Sequence, residues 1–151
     1  MAQAVTPLTR DPQIEALKLP PYSIEAEQSV LGGLLLDNNA FDRISDFLVE
    51  GDFYRADHRQ IFHHIALLIA DSKPADALTV AESLQRSAKL DDVGGQAYLG
   101  SLVMNTPSAA NIRRYAEIVR ERAIMRKLAE VGSGIAESVY NPLGQIGRAH
   151  V

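Results

Sequence analysis

Residues 20–36 read PPYSIEAEQSVLGGLLL, and this stretch decides how the rest of the chain is interpreted. Pro20-Pro21 ends an extended segment, and Ser23 is suited to cap a helix because its hydroxyl accepts from free backbone N–H groups. The apolar residues that follow share one wide helical face: Ala26, Val30, Leu31, Leu34 and Leu35. Gly32 and Gly33 lie inside this helix, where glycine costs about 1 kcal/mol relative to alanine, so we expect another helix to approach closely there.

Helical periodicity continues downstream and predicts an all-α fold. Four more short helices are expected near residues 41–48, 57–70, 76–84 and 98–103. A long helix is expected from about Pro107 to Tyr140, with Thr106 as its cap and Pro107 in its first position. Because no segment alternates with period two, we predict a compact head of about five short helices followed by one long helix.

These elements predict four segments along the chain. Residues 1–19 are expected to be a mobile N-terminal arm, and residues 20–106 the helical head. Residues 107–144 are expected to hold the long helix and its closing turn. Residues 145–151 show too little periodicity to form a further helix, and we interpret them as a remnant foreign to the domain.

The long helix carries two apolar stripes. The first stripe comprises Ile112, Tyr115, Ala116, Val119 and Ala123. The second stripe comprises Ile124, Leu128, Val131, Ile135 and Val139. At 100° per residue the second is rotated by roughly 140° from the first, which predicts two different packing partners. The second partner would be a later helix of the same chain or another subunit, and the alternative is that the short helices wrap around both sides.

Composition excludes several classes of protein. The chain has no cysteine, which excludes disulfides and thiol chemistry. No apolar run approaches the roughly 18 residues that a membrane span needs, and the first residues lack the basic start and apolar centre of a signal peptide. We therefore expect a cytoplasmic protein without a membrane partner. The net charge of -4 opposes direct binding to nucleic acid, which depends on clustered cations.

The residues that could carry chemistry indicate no catalytic, cofactor or metal site in this chain. There is no GxxxxGK[ST] phosphate loop. His58, His63 and His64 lack the i, i+3 or i, i+4 spacing of a helical metal pair, so we expect surface or partly buried histidines. Solvated faces and helix caps account for the carboxylates: Asp37, Asp42, Asp46, Asp52, Asp57, Asp91 and Asp92.

Basic residues are dense on the long helix between Arg113 and Lys127, with glutamates interleaved. Pairs such as Arg113 with Glu117 are expected to form a solvated, salt-bridged face. The alternative is that these cations contact an acidic surface of a partner protein.

Several stretches together resemble the bacterial replicative helicases of the DnaB type. They are PPYSIEAEQSVLGG at 20–33, NTPSAAN at 105–111 leading to Tyr115, IVRERA at 118–123, and DFY at 52–54 with His58-Arg59 and Ile61-Phe62. Together they cover roughly residues 19–143, and their spacing also matches. The resemblance implies the N-terminal domain of such a helicase, in which the long helix is the first arm of a helical hairpin and the second arm is missing here.

The resemblance also implies partners. In the family this domain forms a collar, a trimer of dimers, above a hexameric ring of motor domains that use ATP and Mg, and it binds the C-terminal domain of primase. Glu25, Tyr98 and Ile135 match positions of the primase-facing surface, and the second stripe matches the self-association seam. A helicase loader is a further possible partner, and DNA is expected to be held only by the full-length ring.

Other interpretations remain open at this point. Tyr98 could instead pack in the core, and Glu25 could serve only the dipole of its helix. The chain could be a stand-alone helical adaptor, a direct single-stranded DNA binder, or a small acid–base enzyme with carboxylates that converge in a pocket.

Overall fold

The computed structural model describes residues 19–141, and every regular element in that range is a helix. The predicted all-α class is therefore confirmed. We label the α-helices α1 (Ile24–Leu36), α2 (Ala56–Ala70), α3 (Ala77–Arg86), α4 (Gly95–Met104) and α5 (Ile112–Tyr140). Short 3-10 helices lie at Asn38–Arg43, Glu50–Asp52 and Asp91–Val93.

The described residues fall into two compact units. One unit is Tyr22–Met125, which contains α1 to α4 and the first half of α5. The other joins residues 19–21 to residues 126–141, where Arg126 Nη1 donates to the carbonyl oxygen of Pro21 at 2.8 Å. Three predicted segments lie outside the described residues. They are the N-terminal arm, of which only Leu19 is described, the turn that follows Asn141, and the remnant at 145–151.

Helix α1 begins as predicted. The Ser23 side chain accepts a hydrogen bond from Ala26 N at 3.2 Å. The predicted apolar face is buried in full: Ala26, Val30, Leu31, Leu34 and Leu35. This face packs against α2 and α4, so α1 is the central helix of the larger unit.

The two glycines of α1 permit the close approach that was expected. A Cβ atom at Gly32 would lie 2.0 Å from Thr106 Oγ1 and 2.5 Å from the carbonyl oxygen of Leu102. A Cβ atom at Gly33 would lie 3.2 Å from Ile112 Cδ1. The end of α4 and the start of α5 therefore both pack onto the backbone of α1.

A polar contact anchors the segment that leads into α3. Asn38 Nδ2 donates to the carbonyl oxygens of Leu34 (2.9 Å) and Ala75 (2.8 Å), and its Oδ1 accepts from Ala75 N at 2.9 Å. Asp76 then caps α3, as predicted, by accepting from Thr79 N at 2.9 Å. These bonds tie the start of α3 to the end of α1.

The long helix begins at Ile112, and the predicted start at Pro107 is wrong. Thr106 does not cap α5, because its hydroxyl donates to the carbonyl oxygen of Leu102 at 2.8 Å and so completes the end of α4. The chain then crosses the glycine surface of α1 in a non-helical conformation that buries Ala109. This tertiary contact overrides the local preference for an earlier helix start.

The two stripes of α5 have different environments. In the first, Ile112, Ala116 and Val119 are buried, and Tyr115 and Ala123 are half-buried. All five residues of the second stripe are exposed. Ile124, the residue of this stripe that lies in the larger unit, is 46% exposed, so the short helices of that unit do not cover it.

We expect Gly32→Ala to lower the free energy of unfolding by roughly 1–3 kcal/mol. The added methyl group would meet Thr106 and the backbone of α4, neither of which can move without disturbing the α1–α4 packing. Urea denaturation followed by circular dichroism measures the change.

Gly100→Ala is the matched control, because Gly100 lies within α4 and a Cβ atom there meets nothing within 4 Å. This change is expected to raise the free energy of unfolding by up to about 1 kcal/mol, through helix propensity alone. Equal effects at Gly32 and Gly100 would contradict the close approach.

Candidate functional site

Glu25 and Tyr98, predicted from the sequence as partner-facing residues, lie on the same face of the larger unit. Glu25 is exposed on the first turn of α1, and Gln28 follows it one turn later. Gln28 Nε2 donates to the Tyr98 hydroxyl oxygen at 3.2 Å, which joins this face of α1 to α4. Ile135 lies on the second half of α5, within the other unit.

A polar groove of about 200 Å³ lies between α1 and the end of α4. It is lined by Glu25, Gln28, Ser29, Ser101, Leu102, Asn105 and Thr106. We call it the α1–α4 groove. Glu25 is the one charged residue in this lining, so the groove favours a ligand surface that carries cations or hydrogen-bond donors.

A buried carboxylate lies behind this face. Glu27 is only 1% exposed, and its Oε1 lies 2.7 Å from His58 Nδ1. His58 is 0% exposed, and its Nε2 lies 2.6 Å from the Tyr98 hydroxyl oxygen. Glu27, His58 and Tyr98 thus form a hydrogen-bonded chain from α1 through α2 to α4, which we call the Glu27 relay.

The Glu27 relay has a single consistent assignment of donors when His58 is neutral. As a carboxylate Glu27 only accepts, so His58 Nδ1 carries the proton and donates to it. His58 Nε2 then accepts from the Tyr98 hydroxyl, whose oxygen accepts in turn from Gln28. Every polar atom of the relay is satisfied in this arrangement.

The Glu27 carboxylate also binds the backbone at the start of α2. Its Oε2 accepts from Tyr54 N at 2.7 Å, and its Oε1 accepts from Arg55 N at 3.4 Å. An anion is favoured here because the N–H groups at a helix N-terminus point outward and the dipole is positive. This placement offsets part of the cost of burying the charge.

An ion pair flanks the relay at the same helix terminus. Arg55 forms a bidentate pair with Asp57, and its guanidinium lies over the Tyr98 ring at 5.5 Å from the centroid. The hydrogen bonds to Asp57 hold the pKa of Arg55 above its ordinary value. Tyr98 itself is half-buried and packs against the core. The alternative in which Tyr98 is a core residue is therefore correct for the buried part of its ring.

Sequence reasoning missed the relay. No role in the core was predicted for Glu27 from the sequence. His58 was predicted to be a surface or partly buried histidine, which is wrong because His58 is fully buried. A signal was present, because at 100° per residue Glu27 falls at the centre of the apolar face of α1. His58 falls near the centre of the face of α2 that includes Ile61 and Ile65.

Other titratable groups also differ from expectation. Asp52 is buried and not solvated: it accepts from Val49 N at 3.0 Å and from Arg120 Nη1 at 2.7 Å. His64 is buried beside Ser83, and this burial, with the nearby His63, lowers the pKa of His64. Within residues 19–141 no group of three acidic or histidine side chains is arranged to hold a metal ion.

The basic face of α5 forms the expected exposed ion pairs. Arg113 Nε lies 3.6 Å from Glu117 Oε1, and Arg114 Nη1 lies 3.3 Å from Glu117 Oε2. Exposed pairs of this kind stabilise a helix by only about 0.3–0.5 kcal/mol each. These residues therefore give no strong indication of a binding site.

Comparisons with known proteins agree with this architecture. A family model described as the DnaB-like helicase N-terminal domain matches residues 19–121. The chain belongs to this family. None of the helices in residues 19–141 has the length and hydropathy required to cross a membrane.

Two similar proteins are named as replicative DNA helicases of the DnaB type. The replicative DNA helicase DnaB of Haemophilus influenzae is 45% identical over 135 residues, which cover 89% of this chain and 29% of that protein. DnaB of Geobacillus stearothermophilus is 42% identical over 123 residues, which cover 82% of this chain and 27% of that protein. The chain thus spans less than a third of the length of these relatives, and the match is to their N-terminal domain.

Solved structures support the same assignment. The N-terminal domain of the Mycobacterium tuberculosis DnaB helicase matches with a TM-score of 0.79 at 42% identity, over 82% of this chain and 85% of that one. The N-terminal domain of the Helicobacter pylori DnaB helicase, which interacts with primase, matches with a TM-score of 0.64 at 22% identity. That match covers 87% of this chain and 100% of the other, and it shows a shared fold.

We expect Glu27→Gln to lower the free energy of unfolding by about 2–4 kcal/mol. The carboxylate faces donors only, namely two backbone N–H groups and His58, so the amide group of glutamine would oppose one of them. Urea denaturation monitored by circular dichroism measures this loss.

Glu25→Gln removes the same charge from the same helical turn at an exposed position and is the matched control. It is expected to change the free energy of unfolding by less than about 0.5 kcal/mol. If both variants unfolded at the same urea concentration, the relay would have no structural role.

Proposed function

We propose that this chain is the assembly and docking domain of a replicative DNA helicase. It associates with further copies through the second stripe of α5, and it binds the C-terminal domain of primase. It carries out no catalysis itself, and ATP-driven strand separation belongs to the motor domain of the whole protein. The observation that carries the proposal is the exposed second stripe in a chain of this family.

The geometry of the second stripe supports self-association. Ile124, Leu128, Val131 and Ile135 follow one another at spacings of four, three and four, the alternation of a seam between packed helices, and Val139 follows four residues later. Leu128 is 66% exposed, Ile135 61% and Val139 68%. A continuous apolar row of this length is unfavourable in water and favours a second helix. By analogy with the family, we extend the proposal to a trimer of dimers within a hexamer.

Primase docking draws support from the α1–α4 groove and from relatives. The groove presents Glu25 beside Gln28, and Gln28 donates to the hydroxyl of the half-buried Tyr98. The Helicobacter pylori domain and a DnaB-like replicative helicase of the same fold both interact with primase. Ile135 belongs to the second stripe, so the same side chain is proposed both for self-association and for contact with primase. It cannot serve both contacts at once.

The alternative functions gain no specific support. Within the described groove, Glu25 is the one carboxylate, so no converging pair marks it as an acid–base site. A helicase loader is proposed as a further partner. DNA is proposed to contact the assembled ring and not this domain alone.

The self-association proposal is tested by light scattering across a range of concentrations. The unchanged chain is expected to show a mass that rises with concentration, and Leu128→Asp is expected to weaken association at least tenfold, equivalent to about 1.4 kcal/mol. A buried aspartate in the seam would lose its hydration without a partner.

Leu78→Asp provides the control, because Leu78 is 64% exposed on α3 and lies outside the stripe. Its mass profile should match that of the unchanged chain. A strict monomer at every concentration, or equal losses in both variants, would refute self-association through the second stripe.

The docking proposal is tested by calorimetric titration with the primase C-terminal domain from the same organism. Glu25→Lys is expected to weaken binding at least tenfold, since it reverses the charge of the groove, and the effect should shrink at high salt. Glu82→Lys, at an exposed position of α3, should bind within about twofold of the unchanged chain. Absence of binding to the unchanged chain would refute docking.

A further inference from the structure

We infer that Glu27 and His58 are positioning residues for partner recognition. They hold the Tyr98 hydroxyl inward, so that the surface beside the α1–α4 groove presents the edge of the Tyr98 ring. This inference rests on the proposed docking function and extends it to two buried residues that no partner can touch. It also specifies the chemistry offered to primase at Tyr98, which is an aromatic surface and not a hydroxyl donor.

The hydroxyl of Tyr98 is fully engaged within the protein. With Glu27 ionised and His58 neutral, it donates to His58 Nε2, 2.6 Å away, and it accepts from Gln28 Nε2 at 3.2 Å. The one proton of a phenol is thereby used internally. A partner that required this proton would have to break a buried bond, whereas a partner that packs on the ring would not.

Contacts beyond the hydroxyl, over one face and at the base also hold the ring. The His58 imidazole lies nearly parallel to it, with centroids 5.9 Å apart and an interplanar angle of 10°. Because His58 Nε2 is 2.6 Å from the hydroxyl oxygen, the imidazole lies beyond the hydroxyl end of the ring and not over its face. The guanidinium of Arg55 lies over the ring at 5.5 Å. At the base, Gly94 has a φ of 96° and a Cβ there would lie 2.9 Å from Tyr98 Cβ, so the loop leaves room for the side chain only because residue 94 is glycine.

The polar residues of the relay fix the orientation of side chains more than they stabilise the fold. Burying a carboxylate has a desolvation cost, and apolar residues of similar volume often stabilise a core equally well. The charged relay adds a fixed orientation of its side chains, since each hydrogen bond allows one arrangement of its partners. The side chain whose orientation matters is that of Tyr98, because Tyr98 reaches from the relay to the surface.

The test separates the two bonds of His58. Asparagine can keep a donor near the position of Nδ1, facing Glu27, but has no atom to reach Tyr98. Glutamine is longer and can place a polar atom near the position of Nε2. We therefore compare His58→Asn, His58→Gln, Tyr98→Phe and the double variant His58→Asn with Tyr98→Phe, each titrated calorimetrically with the primase C-terminal domain.

We expect His58→Asn and Tyr98→Phe each to weaken primase binding by about three- to tenfold, the usual range for one lost hydrogen bond. The double variant should bind no more weakly than either single variant, because both changes cut the same link. His58→Gln should recover part of the affinity. Tyr115→Phe, which removes a hydroxyl from a half-buried tyrosine of α5, should bind like the unchanged chain.

A nuclear magnetic resonance measurement gives a readout that loss of stability does not mimic. In the unchanged chain the His58 nitrogen shifts should report a protonated Nδ1 and a hydrogen-bonded Nε2, and Tyr98→Phe should move the Nε2 signal alone. The Tyr98 ring should gain mobility in His58→Asn. Should His58→Asn fail to fold, Tyr98→Phe and the His58 shifts carry the test, because this variant keeps the ring and the core.

The outcomes distinguish this inference from the function on which it rests. If the unchanged chain does not bind primase, docking fails and the positioning role fails with it. If the unchanged chain binds and Glu25→Lys weakens binding, but Tyr98→Phe and His58→Asn bind normally, docking stands and the positioning role is refuted. Additive losses in the double variant would also refute it, because His58 would then act independently of Tyr98.

Discussion

The packing of the larger unit depends on one buried carboxylate. Glu27 lies in the middle of the apolar face of α1, where an unpaired charge would be strongly unfavourable. It is satisfied by the backbone at the start of α2 and by His58, which passes the connection to Tyr98 on α4. Three helices that contact mainly through apolar side chains, which have little directional preference, therefore acquire one specific arrangement.

Close backbone contact acts on the other side of the same helix. Gly32 and Gly33 bring α1 against Thr106 and Ile112, so the end of α4 and the start of α5 are fixed relative to α1. The first stripe of α5 is buried as a consequence, whereas the second stripe is left exposed. The chain therefore combines a well-packed core with an apolar helix face that favours association, as the proposed role in assembly requires.

The candidate docking face draws on both of these features. Glu25 and Gln28 reach the surface because the relay and the glycines fix the turn of α1 on which they lie. Tyr98 lies at the junction, with part of its ring in the core and its hydroxyl in the relay. Family membership and the shared fold associate this domain with replicative helicases, while the residues named here specify which surfaces the proposed partners would use.

The sequence by itself determined the helical class, the caps at Ser23 and Asp76, the apolar face of α1 and the two stripes of α5, because helical periodicity and capping are local properties of the chain. It also indicated the close approach at Gly32, though not the atoms involved. Only the tertiary structure decided that α5 begins at Ile112, that Asp52 is buried, and that Glu27, His58 and Tyr98 form one relay. These features join residues far apart in the chain, and whether a polar residue on an apolar face turns outward or finds a buried partner depends on which side chain the fold places opposite it.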